Sequence, residues 1–308
     1  MAENKIRVLI AGGTGLVGRH LTGMLDKERY EVYLLSRSAS GKTGSQGVVV
    51  PWNVTTREIS GDVPAPEIVI NLAGEGIADG LWTESRKRAI ISSRVDSAAT
   101  LQKWLSENNC RPDCYIAASA VGYYGDRGTE KLTEKTDRGT GFLADSCHLW
   151  ENASKAAGAT CDRTCILRIG IVLSSRGGAL PKFLMTRFLR IFGYFGDGSQ
   201  YYPWIHITDL CRMIIWCMEN RHASGIYNAV SPAETTCRQL TDAVSKATGR
   251  FGVLLGVPAF IMRLLMGEMS TVLLNSDRVV PEKLQSEGFD FGYPDVSMAL
   301  KDILQKKI

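Results

Sequence analysis

The chain is 308 residues long, with 44% hydrophobic and 22% charged residues and a formal net charge of +4, which is ordinary globular usage and enough length to bury a substantial core. So small a net charge, with no Lys/Arg block and no aromatic-basic stripe, excludes nucleic acid as an expected partner. The eight cysteines form no CxxC pair and are accompanied by only four histidines, so neither zinc nor a disulfide framework is expected and the thiols read as reduced and mostly buried.

Met1-Ala2-Glu3-Asn4-Lys5 leads straight into an apolar strand pattern, without the basic start, long apolar stretch and small-residue cleavage site of a signal peptide. The most apolar stretch, 251–266, is interrupted by Pro258 and Arg263 and is shorter than the roughly 20 residues that span a bilayer. A cytoplasmic protein with no membrane partner is expected.

In chain order, runs rich in Val, Ile and Leu predict strands over 6–11, 31–35, 47–50, 67–72, 113–119 and 164–170. Helical periodicity lies between them at 16–26, 84–107 and 142–157. Strands alternating with helices imply right-handed crossovers and a parallel sheet. Past Val172 the rhythm changes. A turn at Arg176-Gly177-Gly178 precedes a predicted helix over 181–192 and a glycine-hinged aromatic loop over 193–202, of a composition suited to closing over a ligand or to plain packing. A helix at 209–219 capped by Thr208 or Asp209, a strand at 226–230 and a helix at 236–248 capped by Thr236 follow.

The expected fold class is α/β: a doubly wound parallel sheet of Rossmann type with a smaller C-terminal substrate lobe. The expected division is a dinucleotide-binding domain over 1–175, to which 203–230 returns, and a lobe formed by 176–202 and 231–308. The cleft between them holds the site.

Directly after the first strand stands Ala11-Gly12-Gly13-Thr14-Gly15-Leu16-Val17-Gly18, a GxxGxxG turn opening into a helix whose apolar face carries Leu21 and Leu25. Gly12 permits the tight turn, Gly15 lets the backbone approach a pyrophosphate and Gly18 allows close helix packing, while free N–H groups and the helix dipole attract phosphate. An NAD site places Asp or Glu at the end of the second strand; here the window is Leu35-Ser36-Arg37-Ser38. With no acid there, and with Arg37 able to pair with a 2′-phosphate and Ser36 able to add a hydroxyl, the cofactor reads as NADP(H).

These residues, with Asn71-Leu72-Ala73-Gly74 and Ser119, resemble the extended and atypical short-chain dehydrogenase/reductases, a group that includes sugar-nucleotide epimerases. Gly122-Tyr123-Tyr124-Gly125, Trp150-Glu151, Pro203-Trp204-Ile205-His206 and Val280-Pro281-Glu282-Lys283-Leu284 are similar to its NADP-binding epimerase-like subfamily with a distinctive C-terminal domain. The resemblance implies that Leu72, Ala73 and Gly74 line the cofactor, that Asn53 stands where the subfamily has an adenine-contacting Asp, and that Arg94 either reaches the cofactor phosphates or belongs to a solvated helix face. It also implies a small-molecule substrate of sugar-nucleotide type.

The superfamily's proton relay is a Tyr with Lys four residues later. None of the ten tyrosines here has that Lys. In its window Cys147 reads as a packed thiol and His148 as a partly exposed residue. Ser119 survives, and Tyr123 or Tyr124 are the phenols placed to replace the missing one, or else aromatics packing the lobe interface. His206 reads as fixing a helix junction. Two functional classes follow: an NADP(H)-dependent oxidoreductase or sugar-nucleotide epimerase-like enzyme without YxxxK, and a cofactor-binding sensor or regulatory protein that has lost the relay. Oligomeric state is left open by the sequence.

Overall fold

The computed structural model describes residues 5–37, 47–249 and 252–305; Ser38 and Phe251, which the sequence reading touches, lie outside them. The first half alternates β1 (Ile6–Ala11), α1 (Leu16–Met24), β2 (Tyr30–Ser36), β3 (Val48–Asn53), the short β4 (Glu58–Ile59), β5 (Ile68–Asn71), α2 (Glu84–Glu107), β6 (Cys114–Ala120), α3 (Phe142–Gly158) and β7 (Arg163–Ile169). The second half runs β8 (Ile171–Ser174), β9 (Gly177–Gly178), α4 (Leu180–Phe183), β10 (Ile191–Phe195), β11 (Trp204–His206), α5 (Ile207–Glu219), β12 (Gly225–Ala229) and α6 (Cys237–Ala247). It ends with β13 (Val253–Val257), α7 (Ala259–Met266), α8 (Thr271–Leu274), α9 (Glu282–Ser286) and α10 (Val296–Gln305).

Eight strands form the main sheet in the order β12-β7-β6-β5-β1-β2-β3-β4, all parallel except the β3–β4 pair. The chain winds outward from β1 to β3 and then returns to β5 on the other side of β1. That reversal opens a crevice at the carboxyl ends of β1 and β5, where doubly wound sheets bind ligands. The strands are near-continuous apolar runs because both faces are covered. Val8 and Ile10 pack with Leu21 of α1 and Leu210 and Ile214 of α5, and Leu9 and Ala11 pack with Leu101 and Leu105 of α2 on the other face. A separate core joins Leu173, Phe192, Trp204, Leu240 and Leu300.

The structure corrects two expectations over 181–202. The helix predicted over 181–192 stops at Phe183, a 3-10 turn spans Arg187–Leu189, and Arg190 takes a left-handed conformation (φ 54°) that turns the chain into β10. The glycine-hinged loop predicted over 193–202 is partly this strand, which pairs in parallel with β13. Phe192 enters the core opposite Leu254, so a period of two displaces the helical one. The rest of the loop is tied down: Asp197 Oδ1 accepts from Ser199 N at 2.9 Å, and Gln200 Nε2 donates to Phe195 O and Leu273 O, both at 3.0 Å.

Two caps differ in how well the sequence exposes them. Thr236 and Gln239 form the reciprocal capping box of α6. The cap of α5 is neither Thr208 nor Asp209 but the buried His206, whose Nδ1 accepts from Thr208 N at 3.1 Å. Asp209 instead accepts from Gly292 N and Tyr293 N at 3.0 and 2.8 Å, holding the C-terminal segment against α5. Among the described residues no helix is long and apolar enough to cross a membrane, and no group of three or more His, Cys, Asp or Glu is placed to hold a metal ion.

Candidate active site

The crevice begins with the turn after β1. Gly12 has φ +79°, and a Cβ there would lie 2.7 Å from the Leu72 carbonyl carbon and 2.8 Å from Ala73 N. The β1 and β5 turns therefore touch backbone to backbone, closed by the bond from Leu72 N to Ala11 O at 2.9 Å. A Cβ on Gly13 would lie 2.5 Å from Leu34 Cδ2, and one on Gly18 would lie 2.5 Å from Gly13 Cα, so α1 starts pressed against its own loop. Gly15 has only Gly12 O nearby, 3.2 Å from where its Cβ would sit. Thr14 O accepts from Arg19 Nε at 2.5 Å. Helix α1 has neither a side-chain cap nor an acid in its first turn, so no side chain at its start takes up the backbone donors that a helix N-terminus offers to an anion. This cradle fits a dinucleotide pyrophosphate.

Around it stand the other residues singled out by sequence. Ser36 ends β2 half-buried and Arg37 follows it exposed. Asn53, exposed at the end of β3, spends its Oδ1 on Thr55 N (2.9 Å) and Thr56 N (3.3 Å). In the β5 turn, buried Asn71 accepts from Ala73 N at 3.1 Å and donates to Ser97 Oγ at 3.1 Å and Tyr115 Oη at 3.3 Å. That anchor presents Leu72 and Ala73 half-exposed and Gly74 exposed.

Arg94 is not on a solvated helix face. It is 8% exposed, lies 4.8 Å over the Trp150 ring, and donates to Ile90 O and Glu75 O at 2.8 and 2.9 Å. Burial pulls its pKa down, the neighbouring Cys147 and Glu75 opposing that shift. It supports the β5 turn from below, its side chain 3.3 Å from where a Cβ on Gly74 would be.

The region beside Ser119 is organised by an ion pair that the sequence does not reveal as a pair. Arg168 of β7 and Glu151 of α3, each 2% exposed in its side chain, meet in a bidentate pair at 2.8 Å (Nε–Oε1) and 3.0 Å (Nη2–Oε2). Ser119 Oγ, at the end of β6, donates to the same Glu151 Oε1 at 2.9 Å. Arg168 Nη1 donates to Tyr124 Oη at 2.9 Å, and Tyr124 lies 2.7 Å from Asn228 Oδ1 and 3.0 Å from Thr133 O. Asn228 Nδ2 passes the network on to Val280 O at 2.9 Å. Burial opposes the charge on Arg168, but the Glu151 carboxylate and the Tyr124 oxygen together outweigh it and raise the Arg168 pKa above its already high value.

Tyr124 does not stand in the cleft. It is fully buried, and burial pushes its phenol up to about 12 despite the Arg168 charge. Tyr123 is half-buried, its ring centroid 3.4 Å from the Arg168 guanidinium carbon. Cys147 lies beneath the 121–124 turn, its thiol pushed up to about 12 by burial and by the nearby Glu151, so it is a packed thiol rather than a nucleophile. His148 meets Asn152 on the helix surface at 3.1 Å. His206 stacks on Tyr293 with ring centroids 3.8 Å apart. Two cavities among the described residues lie away from this network: one of about 470 Å³ beside Asp197, Arg238 and Asp242, and one of about 250 Å³ beside Ser174, Leu180 and Phe188.

A glycine cradle at the switch point of a parallel sheet, with a serine at the end of a neighbouring strand, defines the dinucleotide-binding class of α/β proteins. Residues 8–229 match the NAD dependent epimerase/dehydratase family, and residues 257–303 match a C-terminal domain of unknown function, DUF1731. The chain is 33% identical over 304 residues to the epimerase family protein SDR39U1 of Mus musculus, covering 97% of this chain and 100% of that protein. Its fold is similar to the crystal structure of human epimerase family protein SDR39U1 (isoform 2) with NADPH, at a TM-score of 0.87 and 28% identity, covering 97% of this chain and 99% of that one. It is also similar to the nucleoside-diphosphate sugar epimerase from Corynebacterium glutamicum, at a TM-score of 0.76 and 31% identity, covering 98% of this chain and 58% of that one. The chain belongs to the NAD dependent epimerase/dehydratase family, an epimerase-like branch of the short-chain dehydrogenase/reductases.

Proposed function

We propose that this chain binds NADP(H) along the crevice from the glycine cradle to the end of β6, and acts as an epimerase-like oxidoreductase on a small molecule carrying a carbinol or carbonyl. The observation that carries the cofactor choice is the end of β2, where Ser36 and exposed Arg37 stand in place of an acid; NADPH in the human relative supports it. Gly12 to Gly18 would hold the pyrophosphate, Ser36 and Arg37 the 2′-phosphate, Asn53 the adenine side, and Leu72 to Gly74 the inner wall, with Arg94 acting through that wall. Residues 1–175 with 203–230 form the nucleotide-binding part in this reading, and 176–202 with 231–308 the substrate lobe. The sugar epimerase among the relatives supports a sugar-nucleotide-like substrate.

When bound, the nicotinamide would supply hydride exchange; the residues of this chain handle the proton. Because Ser119 donates its hydrogen to Glu151, its lone pairs are left to accept from a substrate hydroxyl. As that carbinol is oxidised, its proton passes to Ser119 Oγ while the serine proton passes to Glu151 Oε1, and reduction runs the same path backward. Arg168 fixes the carboxylate by its bidentate grip and carries the Tyr123 ring at the pocket wall.

A second reading is favoured by the same bonds: with Ser119 committed to Glu151 and Tyr124 buried, the site serves an NADP(H)-binding sensor that turns over slowly or not at all. Single-turnover loss of NADPH absorbance with a panel of carbonyl compounds decides between them. Oxidation by any member, abolished by Ser119→Ala, supports the enzyme; no oxidation across the panel by protein that binds NADPH supports the sensor.

A further inference from the structure

Strands β8 and β9 form a hairpin in which Leu173 pairs with Gly178 and Ser174 with Gly177, leaving Ser175 and Arg176 as its two-residue tip. Gly177 (φ +159°) and Gly178 (φ +75°) turn against the first residue of α1: Cβ atoms there would lie 3.4 and 3.5 Å from the Leu16 side chain. The tip is braced by Ser174, whose Oγ accepts from Arg176 N at 3.2 Å. A few residues on, Lys182 Nζ donates to Ala78 O in the loop after β5 at 3.5 Å. The segment 174–182 therefore spans from the start of α1 to the β5 loop, across the crevice where the two turns meet.

Arg176 is exposed, and among the described residues its guanidinium has no ion pair or hydrogen bond. The other arginine beside the cradle, Arg19, already donates to Thr14 O. Nor does α1 offer an acid in its first turn to neutralise a cation placed over it. A rigid two-residue turn carrying an unpaired guanidinium beside uncapped backbone donors is complementary to a doubly charged anion. The geometry points to Arg176 as a ligand of the dinucleotide pyrophosphate, delivered by the hairpin from the side opposite the glycine cradle; this rests on the NADP(H) reading above. Its partner is the diphosphate common to both nicotinamide dinucleotides, so it contributes affinity without choosing between them.

The test is a titration of wild type, Arg176→Ala and Arg37→Ala with NADPH, NADH and adenosine 2′-monophosphate, the last carrying the 2′-phosphate but no phosphate at the 5′ position where the pyrophosphate begins. Arg176→Ala is expected to weaken NADPH and NADH by the same factor, roughly tenfold for one lost charge-assisted contact, and to leave adenosine 2′-monophosphate unchanged. Arg37→Ala is expected to do the reverse, weakening NADPH and adenosine 2′-monophosphate and sparing NADH. Since Arg176 is exposed, the melting temperature of the ligand-free variant stays at the wild-type value, which separates lost contact from lost fold. Wild-type affinity for all three ligands in Arg176→Ala overturns the assignment while leaving the cofactor reading intact, as does an equal loss for adenosine 2′-monophosphate. Failure of the wild-type protein to bind any of the three overturns the cofactor reading itself, and this inference with it.

Discussion

At the scale of single residues, the glycine cradle and the Glu151–Arg168 pair make opposite demands on a sequence. Gly12 announces itself because its φ of +79° and the backbone 2.7 Å away are local necessities that glycine alone meets cheaply. Gly12→Ala is expected to cost about 1–3 kcal/mol in backbone strain, more once the β5 turn is pushed away, and to abolish NADPH binding; urea denaturation and a fluorescence titration measure the two effects. The buried pair is hidden because its members lie 17 positions apart, and an arginine inside an apolar run reads as a surface charge until β7 and α3 are brought together. Leaving one partner unpaired at a 2% exposed position is expected to cost about 3–5 kcal/mol for Arg168→Met alone. A Glu151→Leu/Arg168→Met double variant recovers much of that loss, and equal destabilisation of the single and double variants would contradict a mutually compensating pair. With its thiol held near 12, Cys147 should resist iodoacetamide at pH 8 in the folded protein and react only on unfolding, which peptide mass spectrometry reads directly.

At the scale of elements, legibility follows the range of the forces. The helices over 16–26 and 142–157 are readable because each carries its own apolar stripe, and the one over 84–107 because buried Ile90, Ala98, Leu101 and Leu105 recur at helical spacing although Arg94, Ser97 and Thr100 share that face; in the structure they are Leu16–Met24, Phe142–Gly158 and Glu84–Glu107. The error over 181–192 arises where Pro181 opens a helix that a tertiary partner cuts short: β13 lies about 60 residues away in sequence, and its pairing claims Ile191 to Phe195 for a sheet. The α5 cap is missed because histidine is an uncommon capping residue, and its ring is held in place by the stack on Tyr293. His206→Ala is expected to lower stability by about 1 kcal/mol through the lost cap alone, and more through the lost stack. Thr236→Ala should cost a similar amount by breaking the capping box of α6.

At the scale of the whole molecule, the doubly wound sheet was legible from the alternation of elements, and the crevice follows from its strand order. The relation of the C-terminal segments to that crevice was not legible, because it depends on long-range bonds such as those from Asp209 to Gly292 and Tyr293. The same packing buries Asp277, whose Oδ1 has no hydrogen-bond partner among the described residues. Burial, with the negative Asp126 nearby, raises its carboxyl pKa from 3.8 to about 8. In the unfolded chain this group gives up its proton near pH 4, while the folded chain keeps it to about pH 8. The stabilisation is therefore fully present below pH 4 and is lost as pH rises toward 8. Thermal melts of Asp277→Asn should show a flatter profile over that window and a higher melting temperature than wild type at pH 8.

The end of β2 is proposed to select a 2′-phosphorylated dinucleotide. The decisive measurement is a fluorescence titration of the purified protein with NADPH and NADH, repeated on Arg37→Ala. A strong NADPH preference is expected in the wild-type protein, collapsing in Arg37→Ala while NADH affinity stays as it was. Equal affinity for the two dinucleotides in the wild-type protein, or a preference that survives the substitution, would contradict it.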